Sequence, residues 1–160
     1  MSKETVAGIG RAIEEAQREK NLKEEQEAVK RKAEALRLEA ERQALIAQNE
    51  ARLRATGVVG LFEELRDSKV LTMSEAGNPA EIRWNSDNTE ISIKFDIEEH
   101  FTPDPDHGGY MSTGFFPKSL DAEISEKTGK LIIGPHVMKR GEKLEDVVRN
   151  EILRLKGLRE

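Results

Sequence analysis

Cysteine is absent from this sequence, aromatic residues are few, and no long apolar run occurs. A chain without cysteine has no disulfide, no thiolate metal ligand and no thiol nucleophile. A membrane-spanning helix needs about 18 or more consecutive apolar residues, and since no segment approaches that length we expect no membrane insertion. The N-terminal residues Met1–Glu4 are not followed by the uninterrupted apolar core of a secretory signal. The expected location is therefore the cytoplasm.

Sequence motifs of enzymes and nucleotide-binding proteins are also missing. No G-x-S-x-G segment is present, so the sequence lacks the nucleophile turn of an α/β hydrolase. Gly8-Ile9-Gly10 has neither a preceding strand pattern nor the third glycine that a dinucleotide-binding loop requires. The basic run Lys30-Arg31-Lys32 lies among almost equal numbers of acidic residues, which argues against nucleic-acid binding. We predict no catalytic residue and no cofactor, and we interpret the chain as non-enzymatic.

Charged residues are what the sequence has in excess, since 36% of its residues are charged against about 25% in an average protein. Residues 1–56 contain 12 basic and 11 acidic residues, whereas residues 57–160 contain 14 basic and 20 acidic residues. The first part is thus almost neutral and rich in alanine and leucine, which is typical of a helix. We predict a helical arm over residues 1–56 and a small acidic α+β domain over residues 57–160.

The predicted arm is built from strong helix formers, with no proline and only two glycines before residue 56. Thr56-Gly57 then supplies a stop, because glycine suits the left-handed position after a helix. Leu22, Val29 and Leu36 lie with several alanines on one stripe whose average spacing is 3.6 residues. This stripe predicts association: the helix pairs with a second copy, as in a coiled coil, folds back on the next domain, or docks with a partner helix. Acidic and basic residues four apart support the helix at Glu14–Arg18, Glu19–Lys23, Glu27–Arg31 and Glu50–Arg54.

The second part of the chain combines short helices with alternating strands. Apolar spacing predicts a helix from Val58 that ends near Asp67, and another helix over residues 142–158 that covers a sheet. Alternation over Glu81–Trp84 and over Glu90–Ile97, with turn residues at Asn85–Asn88 between them, predicts a hairpin with one buried face. We expect a second hairpin around residues 120–133, a loop over Thr102–Gly109, and a short strand over Tyr110–Phe116. The fold class is therefore α+β, with an antiparallel sheet and a C-terminal helix over it.

The segment 98–107 is the one candidate for metal chemistry. It concentrates carboxylates and imidazoles, which are ligands that zinc or manganese would use. The spacing matches no metal-binding motif, and acidic loops rich in proline are also ordinary solvated connections. A metal site here is the alternative to an interaction role, and its candidate ligands are His100, Asp104, Asp106 and His107.

Phe115 and Phe116 are adjacent apolar residues close to a proline, and they are the candidates for partner contact. In an extended chain two neighbouring side chains point to opposite faces, so both rings cannot enter one core. We expect one ring to border the core and the other to lie on a contact surface. The function we infer from the sequence is interaction or assembly, with the arm for association and the acidic domain for partner contact.

Overall fold

A computed structural model describes residues 2–159, and within that range the chain forms three helices and five strands. The strands make one antiparallel sheet in the order β1-β2-β3-β4-β5. The predicted α+β class, with a long N-terminal helix, an antiparallel sheet and a C-terminal helix, is confirmed. In chain order the elements are α1 Lys3–Ala55, α2 Val58–Asp67, β1 Glu81–Trp84, β2 Glu90–Pro103, β3 Tyr110–Ile124, β4 Leu131–Ile133, β5 His136–Val137 and α3 Leu144–Leu155.

The chain divides into two compact units, Met1–Ala44 and Leu45–Glu160, and the division falls inside α1. In the first unit every residue from Ser2 to Ala44 is exposed, including the apolar members of the predicted stripe. Charged pairs one turn apart support the helix locally, as at Glu27–Arg31, where nitrogen and oxygen are 3.9 Å apart. Such exposed pairs contribute only ~0.3–0.5 kcal/mol each.

The second unit begins with the last turns of α1, which belong to its core. Leu53 is fully buried there, and Arg54 pairs with Glu50 at 3.0 Å. The helix ends where predicted, because Gly57 adopts a left-handed φ of 88°. The carbonyl of Leu53 in the last turn accepts both the hydroxyl of Thr56 at 2.6 Å and its N–H at 3.1 Å.

The core lies between one face of the sheet and the helices. Alternation in β2 buries Ile91, Ile93 and Phe95, and β3 buries Leu120 and Ala122 opposite them. Helices α2 and α3 pack on this layer through apolar residues spaced three and four apart. Their buried residues are Val58, Val59, Phe62, Val147 and Val148.

The hairpin of β2 and β3 is longer than the strands predicted from the sequence. Strand β2 continues to Pro103, and β3 runs without interruption from Tyr110 to Ile124. The loop between them therefore shrinks from the expected Thr102–Gly109 to residues 104–109. The sequence pattern missed this because Pro103 sits at the last strand position, where a missing N–H donor is tolerated.

Among residues 2–159, none of the helices has the combined length and apolar character needed to cross a bilayer.

Candidate functional site

The far end of the β2–β3 hairpin carries most of the exposed aromatic surface. We call residues 97–116 the ribbon. The sequence has seven aromatic residues, and the three outside the ribbon, Phe62, Trp84 and Phe95, are buried or half-buried. The other four lie on the ribbon and are 49–76% exposed. These four are Phe101, Tyr110, Phe115 and Phe116, and the exposed residues Ile97 and Met111 extend the apolar surface.

Strand register sorts these side chains onto two faces. Residues directly opposite each other in an antiparallel pair point to the same side, and Phe101 faces Ser112 while Pro103 faces Tyr110. Phe115 is opposite Glu99, which lies two residues before Phe101 in β2 and so shares its face. We call the side formed by Glu99, Phe101, Pro103, Tyr110, Ser112 and Phe115 the aromatic face.

The opposite face of the ribbon is more polar and is tied together by side-chain contacts. The rings of His100 and Phe116 are 5.0 Å apart in a tilted arrangement. Lys118 Nζ lies 3.0 Å from a carboxylate oxygen of Glu98. Neither Phe115 nor Phe116 belongs to the buried core, so both rings remain on the surface.

The ribbon begins at a bulge in β2. Pairing with β3 shifts between Phe95 and Glu98, and Asp96 has a positive φ of 48°. The N–H groups of Asp96 and Ile97 donate to the carbonyls of Thr72 and Met73 at 2.9 and 2.8 Å. The carboxylate of Asp96 also accepts from Lys156 Nζ at 3.0 Å. These contacts anchor the base of the ribbon in the body and set the point from which it extends.

The turn at the tip is held by its own backbone and by one carboxylate. Asp104 Oδ1 accepts the N–H groups of Asp106 and His107 at 2.9 and 3.2 Å. The N–H of Asp104 donates to the carbonyl of Gly109 at 2.9 Å. Gly108 and Gly109 both have positive φ, which glycine adopts without steric cost. An aspartate that accepts from backbone two and three residues ahead is a common turn device.

Three of the four predicted metal ligands lie in the tip turn, and the fourth, His100, lies on β2. His100 contacts Phe116, Asp104 accepts hydrogen bonds from the turn backbone, and Asp106 and His107 are exposed in the turn. Within the part of the chain that the structure describes, no three histidines or acidic residues come together as a ligand set.

Charge on the ribbon is of one sign. Residues 97–116 contain four carboxylates, Glu98, Glu99, Asp104 and Asp106, and neither lysine nor arginine. Lys118, which pairs with Glu98, lies just outside this range. The ribbon therefore presents exposed aromatic rings within a negative field.

Two carboxyl groups in the body have shifted pKa values, and their surroundings explain both shifts. The backbone N–H of Lys139, with help from His136, lowers the pKa of Glu142, and this contact holds the connection from β5 to α3. Burial, followed by the nearby carboxylates Asp121 and Glu123, raises the pKa of Glu90 on the polar side of the sheet. Neither group faces a closed cavity.

The clefts of the second unit are open, and the two that border α2 are mostly apolar. The most apolar, about 280 Å³ in volume, lies between α2 and α3 and is lined by Leu61, Leu65, Val148 and Ile152 among others. It contains no converging polar groups of the kind that orient a substrate. In comparisons with known proteins, no family model, no curated protein and no solved structure matches this chain.

The sequence pattern indicates Phe115 and Phe116 but not Phe101 and Tyr110, which lie on the same face as Phe115. The sequence nevertheless contains a pattern that indicates the position of Phe101. The alternation that ends at Ile97 resumes at Glu99, Phe101 and Pro103, and extending it would have placed Phe101 on a strand. The prolines and the acidic residues around them indicated a loop more strongly.

Proposed function

We propose that this chain is a non-enzymatic interaction and assembly protein. The helical arm serves association, and the α+β unit makes a specific contact through the ribbon. The observation that supports the proposal is the distribution of aromatic residues: four of the seven are exposed, and all four lie on one hairpin.

Exposed aromatic groups at one place are typical of a contact surface. Single exposed apolar residues are ordinary in folded proteins, whereas a contiguous apolar patch points to an interaction site. Phenylalanine and tyrosine are also enriched at the centres of protein interfaces. A two-stranded hairpin is marginal in water by itself, and here β2 and β3 gain a third strand only near the body, at Ile91–Lys94 and Ala122–Ile124. A bound partner would supply the missing cover.

The first unit supports self-association as the second half of the proposal. Seven large apolar side chains of α1 before Leu45 are at least half exposed, and they fall in two sets on roughly opposite sides of the helix. Long helices gain most of their stability from packing an apolar face rather than from propensity. A second copy offers the same stripe and nearly balanced charge, so pairing meets little electrostatic opposition. The stripe carries Leu22, Val29 and Leu36, and the opposite side carries the weaker set Val6, Ile9, Ile13 and Leu38.

Light scattering on the full chain tests the association. At micromolar concentration the wild type is expected at a multiple of its 18.0 kDa monomer mass. Replacing Leu22, Val29 and Leu36 by glutamine is expected to lower that mass, because it removes apolar area while keeping helix propensity. Replacing Glu19 and Glu41 by glutamine, at exposed positions away from the stripe, serves as the control and is expected to leave the mass unchanged. A wild-type chain that stays monomeric and binds no partner would contradict the proposal.

A further inference from the structure

We propose that the aromatic face of the ribbon docks into an apolar cleft bordered by lysine and arginine on a partner protein. This inference rests on the proposed interaction function and names the surface and the chemistry of its partner. It is carried by three observations: the rings on one face, the charge around them, and the interruptions along β3.

The aromatic face has the composition of an interface centre. Phe101, Tyr110 and Phe115 lie on it with Pro103 between them, and the three rings are 58%, 76% and 66% exposed. Rigid aromatic side chains gain large contact area for little loss of conformational freedom. A few such residues usually carry most of the binding energy of a protein interface. The partner must therefore offer apolar pockets that accept these rings.

Charge identifies the rim of that partner surface. Glu98 pairs with Lys118, but Glu99, Asp104 and Asp106 leave the ribbon net negative, so a complementary surface is basic. The same charge opposes anionic lipid, which attracts basic segments, and it opposes the phosphate backbone of nucleic acid. It also opposes face-to-face pairing of two ribbons, because each brings the same negative charge. A basic protein surface is the occupant that fits both the rings and the carboxylates.

Interruptions along β3 favour docking by side chains over addition of a strand at its edge. Pro117 removes a hydrogen-bond donor from β3 next to the ribbon. A register shift between His100 and Phe101 leaves Thr113 without a directly opposed residue, and its hydroxyl donates to the carbonyl of His100 at 3.1 Å. Prolines and bulges at strand edges are devices that prevent edge-to-edge pairing. The face of the ribbon, rather than its backbone, is thus the surface open to a partner.

A library of random short peptides, selected on the full-length protein, tests the inference. Selected peptides are expected to combine apolar residues with lysine or arginine. Their affinity is expected to fall roughly 10-fold or more in Phe101→Ser and in Phe115→Ser. It should also fall several-fold between about 50 mM and about 300 mM NaCl, since salt screens exposed charges.

One control variant and one charge variant accompany the selection. Val137→Ser removes an exposed apolar side chain from β5, outside the ribbon, and is expected to leave peptide binding unchanged. Glu99→Gln keeps the shape of the aromatic face but removes its one carboxylate, and is expected to weaken both the binding and its salt dependence. Each variant is first compared with the wild type by thermal unfolding, so that a loss of binding is read only from folded protein.

Several results would overturn the inference. Selected peptides without basic residues would show that the contact uses other chemistry. Binding that survives both serine variants would show that it uses another surface. In either case the proposed interaction role would stand. Stronger binding to phosphatidylserine vesicles or to a DNA duplex, lost in the same variants, would replace the protein partner by a membrane or by nucleic acid. A ribbon-dependent change of molar mass without peptide binding would assign the face to a second copy. A chain that selects no peptide and stays monomeric would remove the inference and the proposed function together.

Discussion

Leucine-to-alanine substitutions at two positions of α1 should have very different effects, although they change the same residue type in the same helix. Leu53 is 1% exposed and belongs to the core, whereas Leu45, two turns earlier, is 56% exposed. Both lie in the second compact unit. The pair therefore isolates burial from helix propensity, which differs little between leucine and alanine.

The expected magnitude follows from the packing around Leu53. Removing a fully buried leucine side chain loses its transfer free energy and leaves a cavity, which together cost about 2–5 kcal/mol. That is a large part of the about 5–15 kcal/mol that stabilises a typical domain. At about 3–6 °C per kcal/mol for a unit of this size, Leu53→Ala should lower the Tm by roughly 10–20 °C. Leu45→Ala should stay within about 0.5 kcal/mol of the wild type.

Urea unfolding followed by tryptophan fluorescence measures the difference. The one tryptophan, Trp84, is half-buried in the body, with the guanidinium of Arg54 6.0 Å from its ring centre. The midpoint should shift for Leu53→Ala with an unchanged slope, which indicates a change of stability rather than of the unfolded state. Equal midpoints for the two variants would show that the end of α1 does not pack into the α+β core, and would refute the reasoning.

Three further predictions concern the body of the protein and the ribbon. Gly57→Ala should destabilise the protein by about 1 kcal/mol or more, because φ is +88° at this position. Gly60→Ala should stabilise it by about 0.5–1 kcal/mol, because Gly60 lies inside α2 with open space around it. Chemical denaturation measures both changes, and shifts of the same sign would contradict these predictions. Ionising Glu90 disfavours the folded state, because burial and then Asp121 and Glu123 raise its pKa, so stability falls as pH rises through the carboxyl range. Glu90→Gln should therefore raise the Tm slightly at neutral pH but not below about pH 4, where the carboxyl is protonated in both states; a gain that persists in acid would contradict this. Chelation should leave the Tm unchanged and elemental analysis should find no stoichiometric metal, whereas a lowered Tm would revive the metal alternative.

The elements with a strong local pattern could be read directly from the sequence. Alternation over Glu90–Ile97 predicted a strand with one buried face, and the structure buries Ile91, Ile93 and Phe95. The end of α1 at Thr56-Gly57 was equally predictable, because glycine is the residue that most often takes the left-handed position after a helix. These features depend on residues within one helical turn or one strand, so the residues that determine them lie close together in the sequence.

The ribbon could not be predicted with the same ease because its stability is not local. Its strands are apolar on exposed faces, so the usual contrast between buried and solvated positions is missing. The bulge at Asp96 breaks the alternation, and it is held by backbone acceptors more than 20 residues earlier in the chain, at Thr72 and Met73. Burial of Leu53 also depends on distant residues, since the arm pattern around it is uniformly helical and charged.

Photocrosslinking from the aromatic face tests most directly the claim that the ribbon carries the protein's function. A benzoylphenylalanine group replaces Phe115 in one variant and Val137 in another, and each full-length protein is irradiated in the cells that make it. We expect one discrete adduct from position 115, mapped by mass spectrometry to an apolar segment next to lysine or arginine in a partner, and none from position 137. The same mixture of adducts from both positions, or an adduct in a segment without basic residues, would contradict the account.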